Sequence, residues 1–181
     1  LAGVLRAAGV PADRLLGAYG VIDKLEREER GRSRERLREE VGLDAGVADH
    51  VLELFGTDDP GGVLARWRAL HGEVEEVAAS LDRLDDYLAA LDAMGLGAYV
   101  SPDPTIVRGL DYYTGIVFEL FDRRGELRAI CGGGRYDRLL ELVGGEPLPA
   151  VGFGMGDVVL AELLAERDLV PEYERDLDYF L

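Results

Sequence analysis

Arg108, Asp111, Tyr112 and Tyr113 stand close together in VRGLDYYTGIVFEL, Val107 to Leu120, a stretch that otherwise reads as extended chain. A guanidinium, a carboxylate and two phenols put polar groups on both faces, which is unusual for a core strand. Gly109 and Gly115 weaken the segment and mark places where a ligand or another backbone comes close. The same residues would also serve a sheet with aromatic cross-strand pairs and an Arg–carboxylate bridge. Residue types alone leave both readings open.

Two further stretches are rich in glycine. In CGGGRYD, Cys131 to Asp137, Gly132, Gly133 and Gly134 are consecutive. Such a run is costly in backbone entropy and makes sense where the chain must pass a ligand closely. It reads as a glycine loop, and its Arg135 could meet an anion or pair with Asp137 or Glu141. AVGFGMGDVVLAELL, Ala150 to Leu164, runs from a strand through Gly154 and Gly156 into a helix. A helix N-terminus of this kind can hold phosphate. The spacing matches neither a dinucleotide fingerprint nor a P-loop. Asp157 fits a plain role at the helix start. His50 and His71 lie apart from any carboxylate or cysteine cluster, and no metal-ligand spacing is present. Cys131 reads as a small buried thiol.

The elements that must position these residues fall into two groups. Leu15, Leu16, Tyr19, Ile22 and Leu25 recur at helical spacing, with Pro11 near the helix start. Gly31 is expected to interrupt the pattern. Val47 to Phe55 predicts a second short helix, and GTDDPGG from Gly56 to Gly62 a break. Val63, Leu64, Trp67 and Leu70 begin a third helix. An apolar stripe from Val74 to Leu91 continues it to Met94, where Gly95 and Gly97 end it. From Tyr99 the character changes. Ile106 to Phe121 reads as extended, Asp122 to Glu126 as a hairpin turn and Leu127 to Cys131 as the return strand. Arg138 to Val143 is a short helix, Leu148 to Phe153 a strand and Asp157 to Arg167 a helix. DLDYFL resembles the start of another strand. The fold class is therefore α+β: a helical unit over residues 1–97, then an antiparallel sheet with flanking helices from 98 onward.

Composition limits the function classes. The 181 residues are 48% hydrophobic, enough for a core, and no apolar run is long enough to cross a bilayer. The start lacks both a signal-peptide pattern and an initiator Met, so a fragment is expected. A single cysteine excludes an internal disulfide framework and favours a reducing compartment, the cytoplasm by default. A net charge of −16 argues against a surface that clamps nucleic acid everywhere. One local exception is the basic stretch holding Lys24, Arg27, Arg30, Arg32, Arg34, Arg36 and Arg38, interleaved with glutamates. It reads first as a solvated helix with i,i+4 ion pairs. The competing reading is a contact with RNA phosphates.

In this order, the three chemical stretches resemble histidyl-tRNA synthetase. VRGLDYYTGIVFE resembles that family's second histidine signature, CGGGRYDRLLELVGG the glycine-rich segment after it, and AVGFGMGDVVLAELL class II motif 3. The helical half, with AAGVP near its start, resembles the insertion domain that precedes the signature. The resemblance implies an insertion domain over 1–97 and the C-terminal half of a class II catalytic core over 98–171. It makes 172–181 a linker and the start of a truncated anticodon-binding domain. Motifs 1 and 2 would lie upstream, so the isolated chain is expected to be inactive.

By the same resemblance the parent joins L-histidine to ATP as histidyl-adenylate, then passes histidine to tRNA(His). It would work as a homodimer, with Mg2+ accompanying ATP. Arg108 matches the catalytic arginine, able to bridge the histidine carboxylate and the α-phosphate. Tyr112 and Tyr113 match histidine-pocket residues, with Gly132, Gly133 and Gly134 walling the pocket. Gly154 and Gly156 fall where ATP would lie. Lys24, Arg27, Arg30, Arg34 and Arg38 are the expected tRNA contacts. One departure stands out. The Glu-Arg pair that opens the motif 3 helix is replaced by Val158 and Val159, which leaves Arg135 as a substitute for the arginine that grips the ATP phosphates. That loss favours a rival, the non-catalytic regulatory subunit of ATP phosphoribosyltransferase, while the intact RGLDYYTG and long helical half favour the synthetase. A synthetase-like RNA-binding module is a third reading.

Overall fold

The computed structural model describes residues 1–25, 27–56, 60–107, 112–124 and 127–171. The chain divides into two compact units, Leu1–Asp111 and Tyr112–Leu181.

The first unit is helical. Its elements are α1 (Ala2–Ala7), α2 (Leu15–Ile22), α3 (Arg30–Glu39), α4 (Ala45–Leu54), α5 (Pro60–His71) and α6 (Glu75–Ala93). Each turns a short apolar stripe inward: Leu15, Ala18, Val21 and Ile22 from α2, Leu37 from α3, Val51, Leu52 and Leu54 from α4, Val63 and Trp67 from α5, Val77 and Leu81 from α6. These residues form one continuous core. Asp44 starts α4 by accepting a 3.0 Å bond from the Val47 amide, a side-chain N-cap. Trp67 joins α5 to α4 twice: its indole N–H donates to the Leu54 carbonyl at 3.0 Å, and Phe55 meets its ring edge-on at 5.5 Å. Gly95, at φ +76°, closes α6 in the left-handed conformation that glycine adopts at least cost.

Two sequence expectations change here. Gly31 lies inside α3. Nothing stands within 4 Å of where its Cβ would be, and the flanking Arg and Glu residues are good enough helix formers to carry one glycine. The stripe from Val63 to Met94 is not one helix: the chain turns at Gly72–Val74, where a Cβ on Gly72 would strike the Arg68 carbonyl. Apolar spacing ran through that turn because both helices face the same core. Helix α1 carried too short a stripe to be read from sequence.

The second unit is a three-stranded antiparallel sheet in the order β1-β2-β3: β1 (Val117–Leu120), β2 (Cys131–Tyr136) and β3 (Ala150–Met155). Helix α7 (Leu139–Leu142) follows β2 and helix α8 (Asp157–Glu166) follows β3. The fold class is α+β, as expected. CGGGRY is not a loop, however, but the central strand, Gly132 pairing with Glu119 and Gly154, and Gly134 with Val117 and Gly152. Glycine here serves close strand packing: a Cβ on Gly133 would lie 2.7 Å from the Phe153 Cβ. The return strand therefore starts at Cys131, preceded by one further bond from the Ile130 amide to the Leu120 carbonyl at 2.8 Å. Of the stretch from Ile106 to Phe121 expected to be extended, the strand among the described residues is Val117–Leu120, and residues 108–111 fall outside them. The far end of the 122–126 hairpin, and DLDYFL, fall outside the described residues.

Candidate functional site

Antiparallel partners share a face, and alternate residues of a strand point the same way. One face of the sheet therefore carries Glu119 and Val117 from β1, Gly132, Gly134 and Tyr136 from β2, and Ala150, Gly152 and Gly154 from β3. Four glycines in two registered pairs leave a bare patch of backbone in the middle of that face.

Tyr112 and Tyr113 close over this patch. Their rings stand 4.6 Å apart, and the Tyr136 ring meets Tyr112 edge-on at 5.8 Å. A Cβ on Gly134 would lie 2.9 Å from the Tyr113 Cδ1 and 2.9 Å from the Ile116 carbonyl. A Cβ on Gly152 would lie 2.6 Å from the Tyr136 hydroxyl. The three phenol rings, Leu139, Gly152, Phe153 and Gly154 line an open concavity of about 260 Å³. Its floor is peptide backbone and its walls are aromatic, an arrangement that seats a small polar molecule with an aromatic or planar part.

A clamp next to the concavity fixes the two tyrosines. The Thr114 amide donates to the Arg135 carbonyl at 3.0 Å, and the Arg135 amide to the Ile116 carbonyl at 3.1 Å, extending the β1–β2 pairing. The Thr114 hydroxyl donates to Asp137 Oδ2 at 2.8 Å and accepts from the Asp137 amide at 3.0 Å. Arg135 Nε donates to Asp137 Oδ1 at 2.8 Å. The bond from Thr114 and then that from Arg135 hold the Asp137 carboxyl below the usual carboxylate range.

The structure thus brings Tyr112, Tyr113, Gly132, Gly134 and Gly154 onto one face. Gly133 and Arg135 belong to the opposite face with Cys131, which is buried, and Arg135 is engaged by Asp137. Gly156 precedes α8 and donates its amide to the Ile130 carbonyl at 2.9 Å. The helix start is served by Asp157, whose carboxylate accepts from the Val158 amide at 2.9 Å. Val158 is 64% exposed at the position of the missing pair. Arg108 lies outside the described residues. Tyr136 and Gly152 were not singled out from sequence. Reading 131–136 as a strand would have found Tyr136, because alternation puts it on the face of Gly134.

In the helical unit, Arg30, Arg34 and Arg38 follow at i, i+4 and i+8 along α3, while Lys24 and Arg27 are exposed between α2 and α3. Arg34 makes a two-pronged ion pair with Asp49 of α4, its Nη2 standing 2.8 Å from Oδ2. Arg36 pairs with Glu40 and with Glu28, both at 3.1 Å. The ion-paired helix is therefore real, and Arg30 and Arg38 flank the Arg34–Asp49 pair on the same stripe.

Among the described residues no helix is long and apolar enough to cross a membrane. The family model described as Histidyl-tRNA synthetase matches residues 4–157. A chloroplastic/mitochondrial histidine–tRNA ligase of Arabidopsis thaliana is 39% identical over 97% of this chain, and a histidine–tRNA ligase of Opitutus terrae is 39% identical over the same share. The chain spans 34% and 40% of the lengths of these two relatives. In fold it is similar to the crystal structure of histidyl-tRNA synthetase from Nostoc, with a TM-score of 0.78 at 24% identity, over 94% of this chain and 41% of that one. It is similar also to an ATP phosphoribosyltransferase regulatory subunit/histidyl-tRNA synthetase from Bacillus halodurans, with a TM-score of 0.70 at 24% identity, over 90% of this chain and 42% of that one. With a matched family model over most of its length and relatives at this identity, the chain belongs to the histidyl-tRNA synthetase family.

Proposed function

We propose that this chain supplies the amino-acid pocket of a histidine–tRNA ligase, which activates L-histidine with ATP and transfers it to tRNA(His). The observation that carries the reading is the pair of tyrosines closed over registered glycines, a polar aromatic pocket on bare backbone. An imidazole is planar and has both a donor and an acceptor, so stacked phenols can hold its faces and edges. A site of this kind rejects side chains without matching polar groups, since its own would then go unpaired.

Adenylate formation needs the carboxylate of histidine and the α-phosphate of ATP held in line while charge builds between them. Arg108 is the group proposed for that task. It directly precedes Gly109, four residues before Tyr112 in the chain. Gly154, on the pocket face, and Gly156, before α8, are the proposed backbone contacts for ATP. Arg135 enters this reading through the Asp137 clamp. Mg2+ is proposed to arrive as the complex of ATP, held chiefly by the phosphates. Lys24, Arg27, Arg30, Arg34 and Arg38 are the proposed tRNA-facing cations. The parent is proposed to be a cytoplasmic homodimer.

One observation favours a second reading. Val158 and Val159 open α8 where the family resemblance expects Glu-Arg, and a regulatory subunit without aminoacylation would tolerate that. The two readings separate in a polypeptide that spans the full family length. Arg108→Ala is expected to slow single-turnover histidine activation about 10²–10³-fold, as for loss of one donor to a developing oxyanion. Unchanged activation in that variant removes the role of Arg108. Absence of histidine-dependent ATP–pyrophosphate exchange in the unmutated polypeptide supports the regulatory reading.

A further inference from the structure

The two histidines of the chain are 21 residues apart in sequence, yet the fold sets them nitrogen to nitrogen. His50 on α4 and His71 at the end of α5 place their Nε2 atoms 3.3 Å apart, the rings nearly perpendicular at 80° with centroids 5.4 Å apart. Both side chains are partly open to solvent. Behind His50, Glu53 Oε2 stands 3.7 Å from Nδ1. Nothing in the pocket on the sheet uses these residues.

We propose that His50 and His71 form a two-imidazole site for a borderline divalent transition-metal ion, Zn2+ above all, that joins α4 to α5. Two nitrogens bound to one tetrahedral ion at about 2.0–2.1 Å stand roughly 3.3–3.4 Å apart, and the Nε2 atoms already have that separation. Glu53 supplies the second feature of such a site. At 3.7 Å the carboxylate stands just outside hydrogen-bond distance of Nδ1; closing that gap on metal binding would hold the proton on Nδ1 and leave the Nε2 lone pair of His50 for the ion. In the metal-free chain one Nε2–H donates to the other Nε2. On binding, the donor ring changes tautomer, its proton passing through solvent from Nε2 to Nδ1 of the same ring, so that both neutral imidazoles offer an Nε2 lone pair to the ion and no net proton is released.

Among the described residues no third His, Cys, Asp or Glu converges on the pair. With water in the remaining positions the ion exchanges readily, unlike one in a closed structural site. Imidazole and water together suit Zn2+, Cu2+ or Ni2+ and not Mg2+ or Ca2+, which take oxygen. The proposal is independent of the synthetase reading, since it concerns only the helical unit.

The test is thermal unfolding of the 181-residue chain near neutral pH, metal-stripped and with rising Zn2+. Binding to the folded form alone raises Tm with concentration. The expected result is a saturable rise in the native chain that His50→Gln and His71→Gln each remove. Glu53→Gln is expected to weaken the apparent affinity about tenfold while leaving the site intact. No rise, or a rise that survives both histidine substitutions, overturns the proposal and leaves an ordinary imidazole–imidazole hydrogen bond. Because a variant could fail to fold, a second measurement uses the native chain. Electron paramagnetic resonance of one added equivalent of Cu2+ should show coupling to two imidazole nitrogens; coupling to one or none also overturns the site.

Discussion

Tyr113 can lie against β2 because position 134 has no side chain. A methyl there would meet the ring and the Ile116 carbonyl at 2.9 Å each, and backbone cannot yield as a flexible side chain does. Gly134→Ala is therefore expected to destabilise the sheet unit by about 1–3 kcal/mol and to raise the KM for histidine in a full-length polypeptide. Urea unfolding and exchange kinetics check both, and an unchanged KM would show that Tyr113 is not held there for binding. The clamp residue makes a pH prediction. Asp137 has a folded pKa below its unfolded value, because Thr114 and then Arg135 bond its carboxylate. Its contribution is thus present above the unfolded value near ~3.9 and is lost as pH falls through the lower folded value. Carboxyl NMR should find its midpoint depressed, and Thr114→Val should move the midpoint back toward the ordinary range. A midpoint indifferent to Thr114 would contradict the clamp. Tyr112, Tyr113 and the glycines were legible in sequence because those types do not belong together in a core strand. Tyr136 was hidden by the loop reading of CGGGRY, and the pairing of the two histidines by sequence separation, which no local pattern reports.

At the scale of elements, α3 shows how charge pattern can be read in two ways at once. Its arginines do form ion pairs, yet the pairs with Asp49, Glu28 and Glu40 engage Arg34 and Arg36, and Arg30 and Arg38 extend the stripe on either side. Arg30→Glu with Arg38→Glu leaves the Arg34–Asp49 pair in place. In a full-length polypeptide this double variant is expected to weaken tRNA binding and to flatten its salt dependence, by a slope of about 0.7–0.9 for each phosphate no longer neutralised. Filter binding across a salt series measures this, and an unaltered slope would make the stripe a solvated face only. Helix existence was readable along most of the unit from apolar spacing. Boundaries were less so: the turn at Gly72–Val74 interrupts no stripe, and Gly31 sits on an exposed side where it need not break anything. Strand length failed for a different reason, since glycine-rich segments carry no alternation to count.

Over the whole molecule, burial is uneven. Among the described residues, apart from Ile130 and Cys131, the buried hydrophobic residues belong to the helical unit, whereas Val151, Phe153 and Met155 on one face of β3 are 51–70% exposed. The α+β class and the order of elements followed from sequence because a change from helical spacing to β-branched and aromatic runs is a long-range signal. Which strand lay in the middle was not legible, because pairing is decided between segments. The central claim is that the phenols over the glycine patch bind the amino acid. It is tested most directly by histidine-dependent ATP–pyrophosphate exchange in a polypeptide of full family length carrying Tyr112→Ala or Tyr113→Ala. The account predicts that each raises the KM for histidine at least tenfold, about 1.4 kcal/mol or more, with the KM for ATP little changed. An unaltered KM for histidine in both variants would contradict it.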